Sequence, residues 1–410
     1  MERNDLNNTK ICVVGLGYVG LPLFCLLSSN YRCVGLDQDV HRVALLNQGY
    51  DDRHCVEDLK IKSALSNSII TSSWGDIKDC HIFIVTVPTP VDIDRRPDTS
   101  ALEDVCENLS SLLKKDDIVI FESTVFPGAT EELCLPILED GSGLKLGEFS
   151  LGYSPERVNV GDNFHQLVNT PKIISASDNK SLEVICKLYR SVIDAAIIKA
   201  PSIKVAEAAK MYENVQRDVL IGLANEYSEF CRNIGISIHE VTSCASTKWN
   251  FSKVLPGLVG GHCIGVDTYY LLEKAKRLGQ DLSVVRTARE INESKSRKVF
   301  ERMKSALLER NLDPADADIL ILGFSYKKDT SDIRNTKIAS IIMMMREYAK
   351  SVVCYDPLVD SRAVKEMYNI DVQTDISTLS KEYKIIFKLV EHSVFEDMEL
   401  LNVVDISSLL

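Results

Sequence analysis

The sequence predicts an α/β protein with two Rossmann-like, doubly wound domains joined by a long central helix and a helical middle region. Three observations carry that expectation. Residues 10–200 alternate short β-branched runs with helical stretches. A long segment after Pro201 keeps helical periodicity without a proline. Strand-like runs then return beyond residue 310.

In the first block, residues 1–200, the runs KICVV, RCVGL, IFIVTV, DIVIF and KIISA have the spacing of parallel strands joined by helices. In the second, residues 201–310, apolar residues recur at three and four from Ser202 to about Gly235, which predicts one helix of roughly nine turns. More helical pattern and a glycine-rich loop complete that block. In the third, residues 311–410, DILILGFSYK, SVVCYD and YKIIFKLV predict a smaller α/β domain. Sheets of this class take ligands at the carboxyl ends of their strands, so a two-lobed enzyme with a cleft is expected.

Composition narrows the function classes. With 410 residues, 45% hydrophobic and 26% charged, the chain has the make-up of a globular protein of two or three domains. A net charge of −12 argues against a non-specific nucleic-acid surface. MERNDLNNTK lacks the layout of a signal peptide, and no apolar run approaches the ~20 residues that span a bilayer. A cytoplasmic protein with no membrane or nucleic-acid partner is expected. The 12 cysteines are scattered, the nearest pair being Cys25 and Cys33, and no C-x-x-C occurs. That spacing predicts neither a metal site nor a disulfide framework, and most of these residues read as small buried hydrophobes.

KICVVGLGYVG places Gly15, Gly17 and Gly20 in G-x-G-x-x-G register after a strand and before a helix, with Tyr18 and Val19 between the last two. Such glycines permit a tight turn and close approach of backbone to a pyrophosphate at the helix N-terminus. The next strand, RCVGL, leads to Asp37, 22 residues past Gly15, where a carboxylate accepts from ribose hydroxyls and repels a 2′-phosphate. NAD is therefore the expected cofactor. VTVPTP, with Val87, Pro88 and Thr89, and FESTVFPGAT, with Ser123 and Thr124, close two further strands of the same sheet and are expected to face the ligand.

GLVGGHCIGVD sets Cys263 among Gly257, Gly260, Gly261 and Gly265. A thiol has a pKa of about 8.5 unless a nearby positive charge favours the thiolate. Lys210 and Asn214 lie four apart on one face of the long helix, and Asp267 follows Cys263 by four. Periodicity does not bring these residues together, and a buried cysteine beside a solvated lysine is the ordinary alternative.

Taken in order over nearly the whole chain, GLGYVGLP, PTPVDIDRRPD, ESTVFPGAT, YSPERVNVGD, KVAEAAKMYENVQRD, KWNF, PGLVGGHCIGVD and GFSYKKDTSDIRNT resemble the UDP-glucose/GDP-mannose dehydrogenase family. The cysteine loop is most similar to that of members acting on UDP-N-acetylglucosamine or UDP-N-acetylgalactosamine in capsule and O-antigen synthesis. The resemblance implies a four-electron oxidation of a sugar C6 alcohol to the carboxylate with two NAD. It implies Cys263 as nucleophile, Lys210 and Asn214 as oxyanion stabilisers, Asp267 with Thr124 at the water, and Glu156 in hydrolysis. It further implies Arg42 on the adenosine side, and Arg334 as a contact to NAD. Arg157, Lys253, Gly257, Tyr326 and Lys327 are implied around the substrate, and the long helix as the core of a homodimer.

Three positions depart from the family pattern: Val160 and Thr268 stand where prolines are usual, and Leu255 where an arginine is expected before the proline-glycine. Lys253 replaces that arginine only as a point charge. A two-electron hydroxyacid-type dehydrogenase would have no use for Cys263, and a non-catalytic NAD sensor no use for a nucleophile. UDP-N-acetylmannosamine and UDP-glucose remain alternative substrates.

Overall fold

The five apolar runs of the first block become strands of one sheet. The protein is described by a computed structural model covering residues 9–53, 55–92, 94–158, 166–379, 382–398 and 400–410; Val160 lies outside the described residues. Strands β1 (Lys10–Val14), β2 (Arg32–Leu36), β4 (Ile82–Val85), β5 (Ile118–Phe121) and β7 (Lys172–Ala176) match the expected runs. They are joined by β3 (Ile69–Thr71), β6 (Ser150–Tyr153) and β8 (Ile197–Lys199), which the sequence did not announce. The order is β3-β2-β1-β4-β5-β6-β7-β8. All neighbours run parallel except β6 and β7, which are antiparallel. Val14 of β1 stands level with Leu36 of β2 and with Val85 of β4. Their carboxyl ends therefore align, and Gly15, Asp37 and Thr86 emerge side by side.

Apolar side chains on the sheet, such as Ile11, Val13, Ile84 and Ile120, pack with Leu21 and Phe24 of the helix Gly20–Leu27 into one buried cluster. Each such side chain contributes roughly 1.5–3 kcal/mol by leaving water.

The long helix runs from Ile203 to Asn233, 31 residues, or about 46 Å at 1.5 Å per residue. The Ser202 hydroxyl accepts from the amide of Val205 at its start. It stops at Gly235, whose φ of +75° only glycine adopts without strain. The amides of Gly235 and Ile236 then close back on the carbonyls of Arg232 and Cys231.

The second sheet contains β9 (Asp318–Leu322), β10 (Ser351–Tyr355), β11 (Val372–Gln373), β12 (Ile385–Lys388) and β13 (Val403–Asp405), ordered β11-β10-β9-β12-β13 and wholly parallel. Its core joins Ile319, Ile321 and Phe387 to Ile338 and Ile342 of the helix Ile338–Tyr348 and to Met303 of the helix Ser283–Glu309.

Where the sequence suggests three blocks, the structure falls into two compact units: 1–213 with 269–277, and 214–268 with 278–410. The helical middle is shared between them. Among the described residues, no helix is long and apolar enough to cross a membrane.

Candidate active site

The first unit builds a dinucleotide cradle. Gly15 has φ +89°, and its amide donates to the Leu36 carbonyl at 2.7 Å. The Thr86 hydroxyl bridges the carbonyls of Val14 and Gly15 at 3.0 and 2.7 Å. Gly20 is packed so tightly that a Cβ there would sit 1.8 Å from the Gly15 carbonyl oxygen. Gly17 differs: a Cβ would meet only the Arg53 guanidinium, at 3.7 Å. Tyr18 and Val19 complete the turn, and Val19 directly precedes the helix Gly20–Leu27. Asp37 is half-buried; one carboxylate oxygen accepts from the Leu16 amide at 2.7 Å, the other from the Asp39 amide at 3.0 Å.

The two other strand ends meet beside this turn, because β4 and β5 are neighbours. The Ser123 hydroxyl donates to the Val87 carbonyl at 2.7 Å, and the Thr89 hydroxyl to the Thr124 carbonyl at 2.6 Å. Pro88 is exposed between them, with Val87 and Thr89 half-buried. The turn after Thr124 is held by Glu207 of the long helix, whose buried carboxylate accepts from the amides of Gly128 and Thr130.

Arg42 requires a correction. It was expected toward the adenosine side, but its side chain is fully buried. Its Nε donates to the Leu16 carbonyl at 2.7 Å, and its terminal nitrogens pair with Asp51 and Asp52. The guanidinium thus braces the glycine turn from behind, because two acidic residues nine and ten positions along claim its charge.

Glu156 and Arg157 follow β6. One Glu156 oxygen accepts from the amides of Arg157 and Val158, at 2.7 and 2.5 Å. Arg157 gives its guanidinium to Glu213, at 2.7 Å, and to the Pro171 carbonyl. Implied around the substrate, its guanidinium is here paired with a carboxylate. Lys210 is buried on the same helix as Glu207.

The second unit holds the cysteine. Cys263 stands immediately before the helix Ile264–Arg277, and its carbonyl accepts from the amides of Val266 and Asp267. Its side chain is half-buried. A helix N-terminus carries about half a positive charge, which favours a thiolate. One turn on, the buried Asp267 carboxylate accepts from the side-chain amide of Asn214. Beneath them Thr268, in the place of the usual proline, donates to Asp218 at 3.0 Å. Asp218 in turn pairs with Arg289 at 2.9 Å.

Several other cysteines sit differently. Burial pushes the thiols of Cys25, Cys33, Cys55 and Cys80 up to about 12, and Cys12 and Cys354 well above the usual range. Such groups stay protonated at neutral pH.

The glycines around Cys263 have a reason that sequence reading missed. A Cβ on Gly260 would come 2.8 Å from Cβ of Tyr326, and one on Gly261, at φ +77°, 3.0 Å from its ring. The Gly261 amide donates to the Arg334 carbonyl, and Asn335 donates to the Gly261 carbonyl. These glycines seat the cysteine loop on the 323–336 loop. Tyr326 and Lys327 line a cavity of about 210 Å³ with Gly260, Lys328, Lys337 and Val390. Arg334 holds Asp332 through two bonds, at 2.9 and 2.6 Å. Gly257 is clamped by the side chain of Asn225, with both bonds at 3.0 Å. Lys253 and Leu255 lie exposed nearby in sequence.

Comparison with known proteins gives these features a family. Residues 9–193 match the NAD binding domain of the UDP-glucose/GDP-mannose dehydrogenase family, residues 204–294 its central domain and residues 320–408 its UDP binding domain. A UDP-N-acetyl-D-glucosamine 6-dehydrogenase from Pseudomonas aeruginosa is 42% identical, over 97% of this chain and 94% of that protein. The chain belongs to the UDP-glucose/GDP-mannose dehydrogenase family.

A UDP-N-acetyl-D-glucosamine 6-dehydrogenase from Salmonella typhi is 39% identical over 96% of this chain and 92% of its own. The solved structure of a UDP-D-ManNAc dehydrogenase from Pyrococcus horikoshii superposes with TM-score 0.86 at 32% identity, covering 95% of this chain and 91% of that one. As a family member the chain is an NAD-dependent UDP-sugar 6-dehydrogenase.

The cradle fits the cofactor. Gly17 is the one glycine of the turn with room above its backbone for a diphosphate, and the Asp37 carboxylate lies against the same turn. Arg53 beside Gly17, Glu207 under the Thr124 turn and Thr86 under Gly15 escaped the sequence reading, for each is placed by packing alone.

Proposed function

We propose that the chain oxidises the C6 hydroxyl of UDP-N-acetylglucosamine to the uronate in two NAD-dependent steps through a covalent bond to Cys263. One observation carries the mechanism: a half-buried thiol at a helix N-terminus, one turn ahead of the Asn214–Asp267 pair. The choice of sugar is supported by the two UDP-N-acetyl-D-glucosamine 6-dehydrogenases at 42% and 39% identity.

The residues divide the work. NAD, when bound, accepts a hydride in each oxidation. Gly15, Gly17 and Gly20 shape its cradle, Asp37 receives the ribose hydroxyls, and Val87, Thr89 and Thr124 flank it. Arg53 adds positive charge beside Gly17. Tyr326, Lys327 and neighbouring lysines take the UDP. The Cys263 thiolate adds to the C6 aldehyde to give a thiohemiacetal, whose oxidation leaves a thioester. Lys210 and Asn214 stabilise the oxyanion of each tetrahedral adduct. Asp267, Thr124 and Glu156 serve the water that releases the uronate.

Incubating the purified chain with NAD and a panel of UDP-sugars tests this reading. Two NADH per uronate are expected, with UDP-N-acetylglucosamine the best substrate. One NADH per sugar overturns the covalent double oxidation; turnover confined to UDP-N-acetylmannosamine or UDP-glucose overturns the sugar. Leu255 offers no donor where an arginine is usual, so Lys253 is assigned to the diphosphate as a point charge.

The working form is a homodimer. Leu223, Tyr227 and Phe230 follow one another at four and three along the long helix, with Ile234 just past its end, each roughly half exposed. Such a stripe calls for a covering surface, and a second copy of the same helix supplies one. Replacing Tyr227 and Phe230 together by aspartate is expected to give a monomer in sedimentation. A wild-type protein that sediments as a monomer at micromolar concentration rules the dimer out.

A further inference from the structure

Next to Glu156, the first unit buries a charge cluster to which the reaction above assigns no role. Lys172 opens β7 and is 3% exposed. Its ammonium lies 2.7 Å from one oxygen of Glu122, the residue after β5, and 3.6 Å from one oxygen of Glu156. It also stands 5.3 Å over the ring of Tyr189, whose hydroxyl donates to the other Glu122 oxygen. Burying an ammonium costs several kcal/mol, and one carboxylate suffices to balance it. Glu122 already does so. A second carboxylate, that of Glu156, faces the same ammonium, an arrangement that packing alone does not require.

Each end of Glu156 is engaged. Two backbone amides hold one oxygen, and the ammonium faces the other. A carboxylate with opposite charge beside it and amides upon it keeps one orientation. Burial works against the Lys172 ammonium, but Glu122 and Glu156 more than offset it, so the lysine remains charged.

We propose that Lys172 is a positioning residue for thioester hydrolysis: it holds the Glu156 carboxylate in the orientation that takes the proton of the attacking water. In that step the water oxygen bonds to the thioester carbon, the carbon–sulfur bond breaks and Cys263 leaves as thiolate. One proton passes to Glu156, and no electron is gained or lost. Glu122 and Tyr189 complete the device by anchoring the lysine. The inference rests on the role given to Glu156 above.

The test uses the full chain with NAD and UDP-N-acetylglucosamine, comparing Lys172→Met, the double variant Lys172→Met/Glu122→Gln and Glu156→Gln. The double variant removes the charges of Lys172 and Glu122 together, so the fully buried Glu122 is not left as an unpaired carboxylate. Both lysine variants are expected to keep the rapid NADH burst and the KM for the sugar, while steady-state kcat falls by ~10–100-fold. Acid-quenched enzyme should then carry a uronyl adduct by intact mass. Wild-type kcat without adduct in the double variant, or a raised KM with unchanged kcat, overturns the inference. If Glu156→Gln accumulates adduct and the lysine variants do not, Lys172 alone is misassigned. If Glu156→Gln also turns over normally, the Glu156 role fails first.

Discussion

Cys263→Ser abolishes uronate formation while NAD still binds. Oxidation of an aldehyde by hydride transfer needs a tetrahedral adduct first, and a serine hydroxyl without a strong base does not form one at neutral pH. The position adds to the contrast. A helix N-terminus favours an anion by about 0.3–1 kcal/mol, which helps a thiol near its pKa and does little for a hydroxyl far above it. Uronate production is expected to fall at least ~10³-fold, about 4 kcal/mol of transition-state stabilisation. Folding should survive, because the Cys263 contacts to Val266 and Asp267 are made by its carbonyl. Product assay with NAD titration checks both halves. A serine variant yielding two NADH per sugar would remove sulfur from the mechanism.

Gly20→Ala is expected to cost more than any other single methyl in the cofactor turn. The added carbon would lie 1.8 Å from the Gly15 carbonyl oxygen and 2.4 Å from the Thr86 hydroxyl. Neither is the end of a flexible chain. The Thr86 hydroxyl is bonded to Val14 and Gly15, so moving it opens the turn that it ties to β1. Overpacking of this kind destabilises by about 1–3 kcal/mol, and NAD affinity should drop at least ~10-fold with it. Gly17→Ala gives the contrast. Its methyl meets only Arg53, so thermal stability should hold while the diphosphate loses its approach. Melting curves and NAD titration of the two variants separate packing from ligand access; equal melting temperatures for wild type and Gly20→Ala would refute the packing account.

Long, uniform signals were legible. Continuous apolar runs announced the central strands, and unbroken periodicity announced the helix Ile203–Asn233. Short or mixed strands such as SLGY of β6 and the two residues of β11 escaped, because their partners rather than their side chains place them in a sheet. The candidate site divides in the same way. The glycine turn and Asp37 are a local pattern with a local cause. Arg42 was misread because its fate depends on Asp51 and Asp52, whose proximity is a product of folding.

By itself, then, the sequence determined the fold class, the cofactor turn and the family to which they point, and it singled out Cys263 as the candidate nucleophile. These rest on neighbours along the chain: strand, turn and helix within a dozen residues, or a motif read whole. Only the tertiary structure decided that Gly260 and Gly261 exist to lie against Tyr326, that Glu207 fastens the Thr124 turn and that Glu156 meets a buried lysine. Those contacts join residues from 16 to nearly 80 positions apart. Burial makes each of them energetically consequential, since a polar group removed from water must find its partner wherever the chain has brought one.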